Sequence, residues 1–193
     1  MFNKILIVGC GLIGSSILRA SIKKKISKKI YILEKSKNHI KQIKKLRLKC
    51  EFIKIPKIQI PSVDMIIFCT HLGEYIETFK KIEKYISKNT IVTDTGSTKG
   101  SVISDVNPYL SNNVYFIPSH PLAGTEYSGP KSGFSSLFEN RYWLIVYDKQ
   151  TNETKKLIKF FEKLGSIVEI VNTEYHDRIL AITSHLPHLI AYT

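Results

Sequence analysis

The sequence has little cysteine and no long apolar run, and each absence excludes a class of protein. Its three cysteines, Cys10, Cys50 and Cys69, form no Cys-x-x-Cys pair and no spacing typical of metal ligands. We interpret them as reduced thiols, which excludes a disulfide-stapled secreted scaffold. No apolar segment approaches the roughly 20 residues of a transmembrane helix, and the first residues enter a strand-like segment without a signal-peptide pattern. The sequence therefore predicts a cytoplasmic globular protein without a membrane partner.

Arginine is scarce as well: only four of the 29 basic residues are arginine, and the other 25 are lysine. The formal net charge of +13 raises the question of nucleic-acid binding, because basic faces attract phosphates. Many of the lysines lie between residues 23 and 49, but no recognition motif or interleaved aromatic residues accompany them. We favour a compositional bias with lysines on solvated helix faces, and we predict no nucleic-acid partner. A positive field would still attract dianionic metabolites.

Apolar, β-branched runs alternate with amphipathic segments along most of the chain. The pattern predicts strands over residues 4–8, 29–34, 63–70, 89–94, 113–119, 142–147 and 166–171, and helices over residues 12–24, 37–46, 73–86 and 153–165. The last helix should end at Gly165, which is a typical C-cap residue. Such alternation is typical of parallel βαβ units. We therefore expect an α/β fold, doubly wound around a mostly parallel sheet.

The character of the chain changes after Val171. The following segment has no strand signal and is predicted to be helical, with Pro187 either kinking it or starting a new helix. We place a domain junction near Asn172. The expected organisation is a nucleotide-binding domain over residues 1–172 and the beginning of an all-helical second domain over residues 173–193.

A Gly-x-Gly-x-x-Gly motif lies between the first predicted strand and the first predicted helix, at Gly9, Gly11 and Gly14. The first glycine permits the tight turn, the second allows a pyrophosphate to approach the backbone, and the third allows close packing of helix and strand. Leu12 and Ile13 begin the helix, whose N-terminal N–H groups and dipole attract phosphates. The motif predicts a dinucleotide site, although a merely tight turn has the same pattern.

An acidic residue, Glu34, follows the second strand 20 residues after Gly14. A carboxylate at this position bonds the adenosine ribose 2′-hydroxyl and repels a 2′-phosphate, which favours NAD over NADP. Lys35 and Lys37 weaken this preference, because they could bind the additional phosphate. Thr70, at the end of the third predicted strand, is expected to line the same cofactor site.

Three further motifs follow strand ends: DTGSTKG at 94–100, SHPLAGTEYSGP at 119–130, and HDRILAITSHLPH at 176–188. Each one has an ordinary structural explanation. Ser97 could cap a helix, and His120 could bond the backbone of a loop. His185 and His188 have a spacing that suggests metal, but no carboxylate or cysteine completes a site, so we predict no metal.

Together with GCGLIGSS at 9–16, these motifs resemble the prephenate dehydrogenase family, which includes the arogenate dehydrogenases. The resemblance implies a Rossmann domain followed by a helical domain that dimerises, with the active site between them. It also implies NAD-dependent oxidative decarboxylation of prephenate to 4-hydroxyphenylpyruvate in tyrosine biosynthesis. The alternative substrate is arogenate, which gives tyrosine.

The resemblance also implies roles for individual residues. His120 would hydrogen-bond the ring 4-hydroxyl of the substrate and act as general base, and Ser97 would orient that hydroxyl or the histidine. Glu126 would shape the substrate pocket. His185 and His188 would approach the substrate from the helical side. The role of Lys99 stays open between holding its loop or the nicotinamide and taking part in the chemistry.

The chain departs from the family pattern in two places. His71 stands where the family usually has proline, and it could be incidental, which we favour, or could contact the dinucleotide. The sequence stops at Thr193, where the family's helical domain would continue, so we expect a C-terminally truncated member that forms a homodimer only if that domain is complete. Two alternatives remain: a dehydrogenase of the β-hydroxyacid type, and a chain that binds dinucleotide without catalysis.

Overall fold

The computed structural model describes residues 2–53, 61–147 and 150–182. In these ranges the strands are β1 (Lys4–Val8), β2 (Lys29–Leu33), β3 (Glu51–Ile53), β4 (Met65–Phe68), β5 (Ile91–Asp94), β6 (Tyr115–Phe116), β7 (Ser119–Pro121), β8 (Tyr142–Val146) and β9 (Ile167–Val171). The helices are α1 (Leu12–Lys23), α2 (Lys37–Lys45), α3 (Leu72–Ile82), α4 (Gly100–Val106), α5 (Asn152–Leu164) and α6 (Thr173–Leu180). Each element predicted within these ranges has a counterpart, although several bounds differ and the segment 113–119 contains parts of two strands.

The first six strands form one sheet in the order β3-β2-β1-β4-β5-β6. All its pairings are parallel, and the order reverses between β1 and β4, as in doubly wound dinucleotide-binding sheets. The apolar runs of β1 and β4 lie at its centre, where every residue of β4 is buried. Ligands of such sheets bind beyond the carboxyl ends of the strands at this switch point. The predicted fold class is confirmed.

The prediction of one strand over residues 113–119 is wrong, because this segment divides between two sheets. Its first part is β6, at the edge of the parallel sheet, and its last residue begins β7. Pro118 lies between the two strands and has no N–H to continue the first ladder. β7 pairs antiparallel with β8, and β8 pairs parallel with β9, giving a three-stranded second sheet.

Two short elements, β3 and α4, were not predicted from the sequence. The predicted end of α5 is confirmed: Gly165 is its C-cap, with φ of +103° in the left-handed region that favours glycine. At the other end of α5, Thr151 accepts a hydrogen bond from the Thr154 N–H. These caps fix the length of the helix that packs on the second sheet.

Apolar clusters cover both faces of the parallel sheet. One cluster joins β1 to α1 and α5, and within it Trp143 stacks on Phe161 with ring centroids 3.9 Å apart. The other cluster packs α3 and α4 against the opposite face. Among the described residues, no helix has the length and apolar character needed to cross a membrane.

The last described helix, α6, follows β9 directly. Its N-cap is Asn172, whose side chain accepts a hydrogen bond from the Tyr175 N–H at 2.7 Å. The predicted junction at residue 172 thus coincides with a change from strand to helix, while the division into two domains stays a prediction. His185 and His188 lie outside the described residues.

Candidate active site

The glycine-rich turn connects β1 to α1. Gly9 has φ of +81°, a conformation that residues with a Cβ rarely adopt. A Cβ on Gly14 would lie 2.2 Å from the carbonyl oxygen of Gly9, so helix and turn approach at a distance that only glycine allows. A Cβ on Gly11 would meet no described atom within 4 Å, so the backbone there faces open space. Leu12 and Ile13 form the first turn of α1 and present its N-terminal N–H groups.

Glu34 lies beside this turn, immediately after β2. Its carboxylate accepts hydrogen bonds from the backbone N–H of Cys10 at 2.7 Å and of Ser36 at 2.8 Å. The Nδ1 atom of His39 lies 3.4 Å from the same carboxylate. The side chain of Glu34 is only 6% exposed, so these contacts hold it in one position next to the glycine turn.

A cavity of about 220 Å³ opens between the glycine turn and the ends of β2 and β4. Its wall includes Glu34, Thr70 and His71, which places His71 next to the predicted cofactor site. The hydroxyl oxygen of Thr70 is buried and has no hydrogen-bond partner among the described residues. A buried polar atom without a partner is costly, so this hydroxyl is suited to bind a polar ligand group.

Two cysteines, Cys10 and Cys69, also line this cavity. Burial raises the pKa of both thiols above its ordinary value. The thiols therefore stay protonated near neutral pH, and they contribute neutral surface rather than a nucleophile.

A buried ion pair lies at the same carboxyl edge of the sheet. Asp94 ends β5, Lys99 precedes α4, and both side chains are 0% exposed and paired with each other. Lys99 Nζ also donates to the carbonyl oxygen of Ser119 at 2.8 Å. Asp94 accepts from the N–H of Ser119 at 3.1 Å and from that of Gly96 at 2.9 Å. Burial lowers the pKa of Lys99, and the Asp94 carboxylate opposes this shift.

The hydroxyl of Ser119 completes this network. It donates to the backbone oxygen of Asp94 at 2.7 Å and accepts from the indole N–H of Trp143 at 2.9 Å. The network thus connects the loop after β5 to β7. It also holds the β7 backbone in place next to His120, the residue that follows Ser119. In this structure Lys99 holds its loop.

His120 is half-buried, and its Nδ1 lies 3.1 Å from Nε2 of His176, the fourth residue of α6. The Nδ1 atom of His176 in turn lies 2.7 Å from Oδ1 of Asp177. The two carboxylate oxygens of Asp177 also accept the backbone N–H groups of Lys99 and Gly100, each at 2.8 Å. The result is a chain of three side chains that joins β7 to α6 and to the start of α4.

Burial sets the protonation of this chain. It lowers the pKa of His176, which is 1% exposed, although Asp177 opposes the shift. Partial burial would raise the pKa of Asp177, but hydrogen bonds from Gly100, Lys99 and His176 outweigh it and hold that pKa below its ordinary value. At neutral pH, His176 is therefore a neutral imidazole beside an ionised carboxylate.

The remaining predicted residues lie in the surrounding loops. Ser97 is exposed in the loop between β5 and α4, and Glu126 is exposed in the loop after β7. The predicted interaction of Ser97 with His120 or with a substrate hydroxyl stays a prediction. In the described ranges, no group of three or more His, Cys, Asp or Glu side chains is arranged to hold a metal ion.

The motif at 176–188 begins with His176 and Asp177, but the sequence alone assigns no role to either residue. The signal that could have drawn attention to them is an adjacent His-Asp pair at the start of the helix that follows the last strand. Their contact with His120 spans 56 residues of sequence, and it becomes visible only when β7 and α6 are placed together.

Residues 18–170 match the family model described as "Prephenate dehydrogenase, nucleotide-binding domain". The chain belongs to the prephenate dehydrogenase family. The matched range contains the ion pair, His120 and Glu34, whereas the glycine turn precedes it and His176 follows it. The family predicted from the motifs is thus confirmed.

Two curated relatives are similar over nearly the whole chain. The cyclohexadienyl dehydrogenase of Zymomonas mobilis is 32% identical over 100% of this chain and 66% of its own length. The prephenate dehydrogenase of Lactococcus lactis is 32% identical over 99% of this chain and 52% of its own length. The chain thus spans between about half and two thirds of these relatives.

Solved structures of prephenate and arogenate dehydrogenases are similar to this chain in fold. The prephenate dehydrogenase of A. aeolicus, in complex with hydroxyphenyl propionate and NAD+, superposes with a TM-score of 0.90 at 29% identity. That comparison covers 100% of this chain and 68% of the other. The Synechocystis arogenate dehydrogenase superposes with a TM-score of 0.82 at 24% identity, which shows a shared fold.

Proposed function

We propose that this chain carries the cofactor-binding half, and part of the catalytic half, of an NAD-dependent enzyme that oxidatively decarboxylates prephenate to 4-hydroxyphenylpyruvate. The observation that carries the proposal is the position of His120. This chain belongs to the family, and the imidazole of its His120 contacts His176. The two residues lie at the edge of the sheet where the dinucleotide cavity also opens. The relatives named prephenate and cyclohexadienyl dehydrogenase support the same reaction. With this reaction, we propose that the protein acts in tyrosine biosynthesis and is located in the cytoplasm.

The described residues fit NAD. The open backbone at Gly11 leaves room for a pyrophosphate that a Cβ would fill, and the N–H groups of the first turn of α1 would bind its oxygens. Glu34 would accept hydrogen bonds from the hydroxyl groups of the adenosine ribose. The buried hydroxyl of Thr70 would form a hydrogen bond with the cofactor. When bound, NAD supplies the acceptor for the hydride that leaves the substrate.

His120 would hold and move one proton in this reaction. As the carbinol C–H bond breaks and its electron pair leaves, the imidazole takes the hydroxyl proton, so that a ketone forms. The bond to the ring carboxylate then breaks, and its electrons move through the ring to the ketone oxygen. The imidazolium returns the proton to that oxygen, which gives a phenol and carbon dioxide. The aromatic product makes the sequence effectively irreversible.

The side-chain end of the substrate distinguishes prephenate, a keto acid, from arogenate, an amino acid. Glu126, His185 and His188 are proposed to contact this part of the substrate together with the helical domain. We favour prephenate, with arogenate as the alternative, because NAD use and prephenate often occur together in the family. The helical domain, where complete, would form a homodimer. The positive net charge of +13 would attract either anionic substrate.

The two glycines of the turn provide a matched pair of variants. Gly14→Ala places a methyl group 2.2 Å from the Gly9 carbonyl, so we expect a loss of about 1–3 kcal/mol in the free energy of unfolding together with weaker NAD binding. Gly11→Ala meets no described atom, so stability should change by at most about 1 kcal/mol, while NAD binding is lost. Urea unfolding and calorimetric titration with NAD measure both effects. Full NAD affinity in Gly11→Ala would show that the pyrophosphate does not approach this residue.

Replacing Glu34 should change the cofactor preference. Glu34→Ser removes the carboxylate that would repel a 2′-phosphate, so we expect the NADP/NAD affinity ratio to rise by on the order of tenfold. The variant also loses the acceptor for two backbone N–H groups, so the ratio is the informative quantity rather than either affinity. Glu169→Ser removes an exposed carboxylate that does not line this cavity, and it serves as control. An unchanged ratio would mean that Glu34 does not contact the ribose.

Turnover tests the proposed reaction directly. NADH formation is followed by absorbance after mixing NAD with prephenate, and separately with arogenate. The assay uses the 193-residue chain and a polypeptide extended past Thr193. Activity with prephenate in either protein supports the proposal, and activity with arogenate alone selects the alternative substrate. If the extended protein binds NAD but oxidises neither compound, the proposed function is wrong.

A further inference from the structure

Two lysines line the dinucleotide cavity: Lys35, which follows β2, and Lys81 on α3. Their contacts matter because NADP differs from NAD by a phosphate on the adenosine ribose, which carries roughly two negative charges. A lysine without a partner at this position would bind such a phosphate as a point charge. The surroundings of these lysines therefore bear on the choice between the two cofactors.

Each of the two lysines is paired with a carboxylate. The Nζ atom of Lys35 lies 2.5 Å from Oε1 of Glu74, so this pair joins the end of β2 to α3. The Nζ atom of Lys81 lies 2.5 Å from Oε1 of Glu77, one turn earlier on the same helix. The two pairs differ in one respect, because Glu74 lines the cavity and Glu77 does not. Lys35 is thus held by a carboxylate that itself belongs to the wall of the cofactor site.

The position of Glu74 suits it to hold this lysine. Glu74 lies in the first turn of α3, where the helix dipole favours a carboxylate. The hydrogen bond to Glu74 is the main cause that raises the pKa of Lys35 above its ordinary value, so the lysine is a full cation at neutral pH. A phosphate that approached this cation would have to compete with the carboxylate already bound to it, and would be repelled by that carboxylate.

The charges in the wall of the cavity are balanced, although the whole chain has a formal net charge of +13. Histidines aside, the described residues that line the cavity include two carboxylates, Glu34 and Glu74, and two lysines, Lys35 and Lys81. Lys37, the other lysine that could bind an additional phosphate, does not line this cavity. A 2′-phosphate would therefore gain no net attraction from the described wall, despite the lysine next to Glu34.

We propose that Glu74 is a specificity-determining residue, which holds Lys35 in an ion pair and so withholds this lysine from the 2′-phosphate of NADP. Glu34 would repel the phosphate by its own charge, whereas Glu74 occupies the cation that would attract it. The proposal rests on the NAD site of the proposed function and deepens it. The side chains of Lys35 and Glu74 are 72% and 40% exposed, so water screens the pair and its effect on affinity is a few-fold rather than a large one.

Calorimetric titration of the 193-residue chain with NAD, and separately with NADP, measures the effect without turnover. Glu74→Gln keeps the size of the side chain but releases Lys35, so the NADP/NAD affinity ratio should rise by about two- to fivefold. Glu51→Gln is the matched control. It releases Lys29 from a pair of 3.0 Å at the start of β2, at the other end of the strand from the cavity, and should leave the ratio unchanged. The same ratio in Glu74→Gln as in the unmodified chain would overturn the proposal.

A double-mutant comparison shows whether Glu74 acts through Lys35. The variant Lys35→Met has no ammonium group to release, so adding Glu74→Gln to it should raise the NADP/NAD ratio much less than Glu74→Gln does alone. An equal rise with and without Lys35 would mean that Glu74 acts by its own charge, which would contradict the proposal. Repeating both measurements together with Glu34→Ser, which is expected to bind NADP more tightly, increases the precision of the ratio.

The failure of this proposal is distinguishable from the failure of the proposed function. The affinity ratio is measured without substrate, so the roles of Glu74 and Lys35 are decided even if neither prephenate nor arogenate is oxidised. Oxidation of prephenate together with an unchanged ratio in Glu74→Gln would leave the reaction in place and overturn only the role of Glu74. If the unmodified chain binds neither NAD nor NADP, the dinucleotide site is wrong and the proposal is wrong with it.

Discussion

Replacing Lys99 by methionine is expected to lower the free energy of unfolding by about 3–5 kcal/mol, because it leaves the buried Asp94 carboxylate without its cation. Both side chains are 0% exposed, so water cannot take the place of the lost ammonium group. Lys99 also supplies a hydrogen bond to the carbonyl oxygen of Ser119 at 2.8 Å, which the variant loses. Urea unfolding measures the effect as a lower midpoint.

Two further variants test the cause of this loss. Lys156→Met removes a surface lysine whose ammonium group lies 3.8 Å from Glu153, and it should leave the midpoint nearly unchanged. Adding Asp94→Asn to Lys99→Met removes the unpaired charge, so part of the lost stability should return. If Lys99→Met is no less stable than Lys156→Met, the ion pair does not hold the loop after β5 to β7.

The second large effect is expected at His120. His120→Asn should lower kcat by about 10²- to 10⁴-fold in the extended polypeptide, because an amide can hydrogen-bond the substrate hydroxyl but cannot take its proton. KM should change much less than kcat, since the proton transfer contributes to the transition state rather than to substrate binding. Steady-state kinetics with NAD and prephenate measure both quantities.

The affinity for NAD is the internal control for this variant. The glycine turn and Glu34 are separate from the His120–His176 contact, so NAD binding by His120→Asn should match that of the unmodified protein. A variant with unchanged kcat would remove His120 from the chemistry. A variant that fails to bind NAD would show instead that His120 supports the fold of the cofactor site.

The parts of the fold that the sequence predicted correctly are those set by local patterns. The sequence features that indicate these parts lie within a few residues of each other. Examples are the run KILIV, the glycines that follow it, and the periodic helix α5 with Gly165 at its end. β3, of three residues, and α4, of seven residues, are too short to display a clear period. The break at Pro118 was missed because the apolar run continues on both sides of it.

The candidate site, like the fold, has a part that local sequence patterns predict and a part that they do not. The turn from Gly9 to Gly14 and the acid at Glu34 could be predicted, because spacing along one βαβ unit determines their meeting place. The Asp94–Lys99 pair could not be predicted, since a lysine five residues after an acid is ordinary on a protein surface, and only the packing of the second sheet buries it. His176 contacts His120 because β7 and β9 belong to the same sheet and α6 follows β9 directly. No local sequence pattern indicates this arrangement.

His120 and the dinucleotide site are proposed to cooperate in an oxidation coupled to decarboxylation. The most direct test measures NADH and carbon dioxide together, as the extended polypeptide consumes prephenate. We expect equal amounts of the two products, and loss of both in His120→Asn. Formation of NADH without carbon dioxide would contradict it, and would indicate a dehydrogenase that oxidises an alcohol without cleaving a carbon–carbon bond.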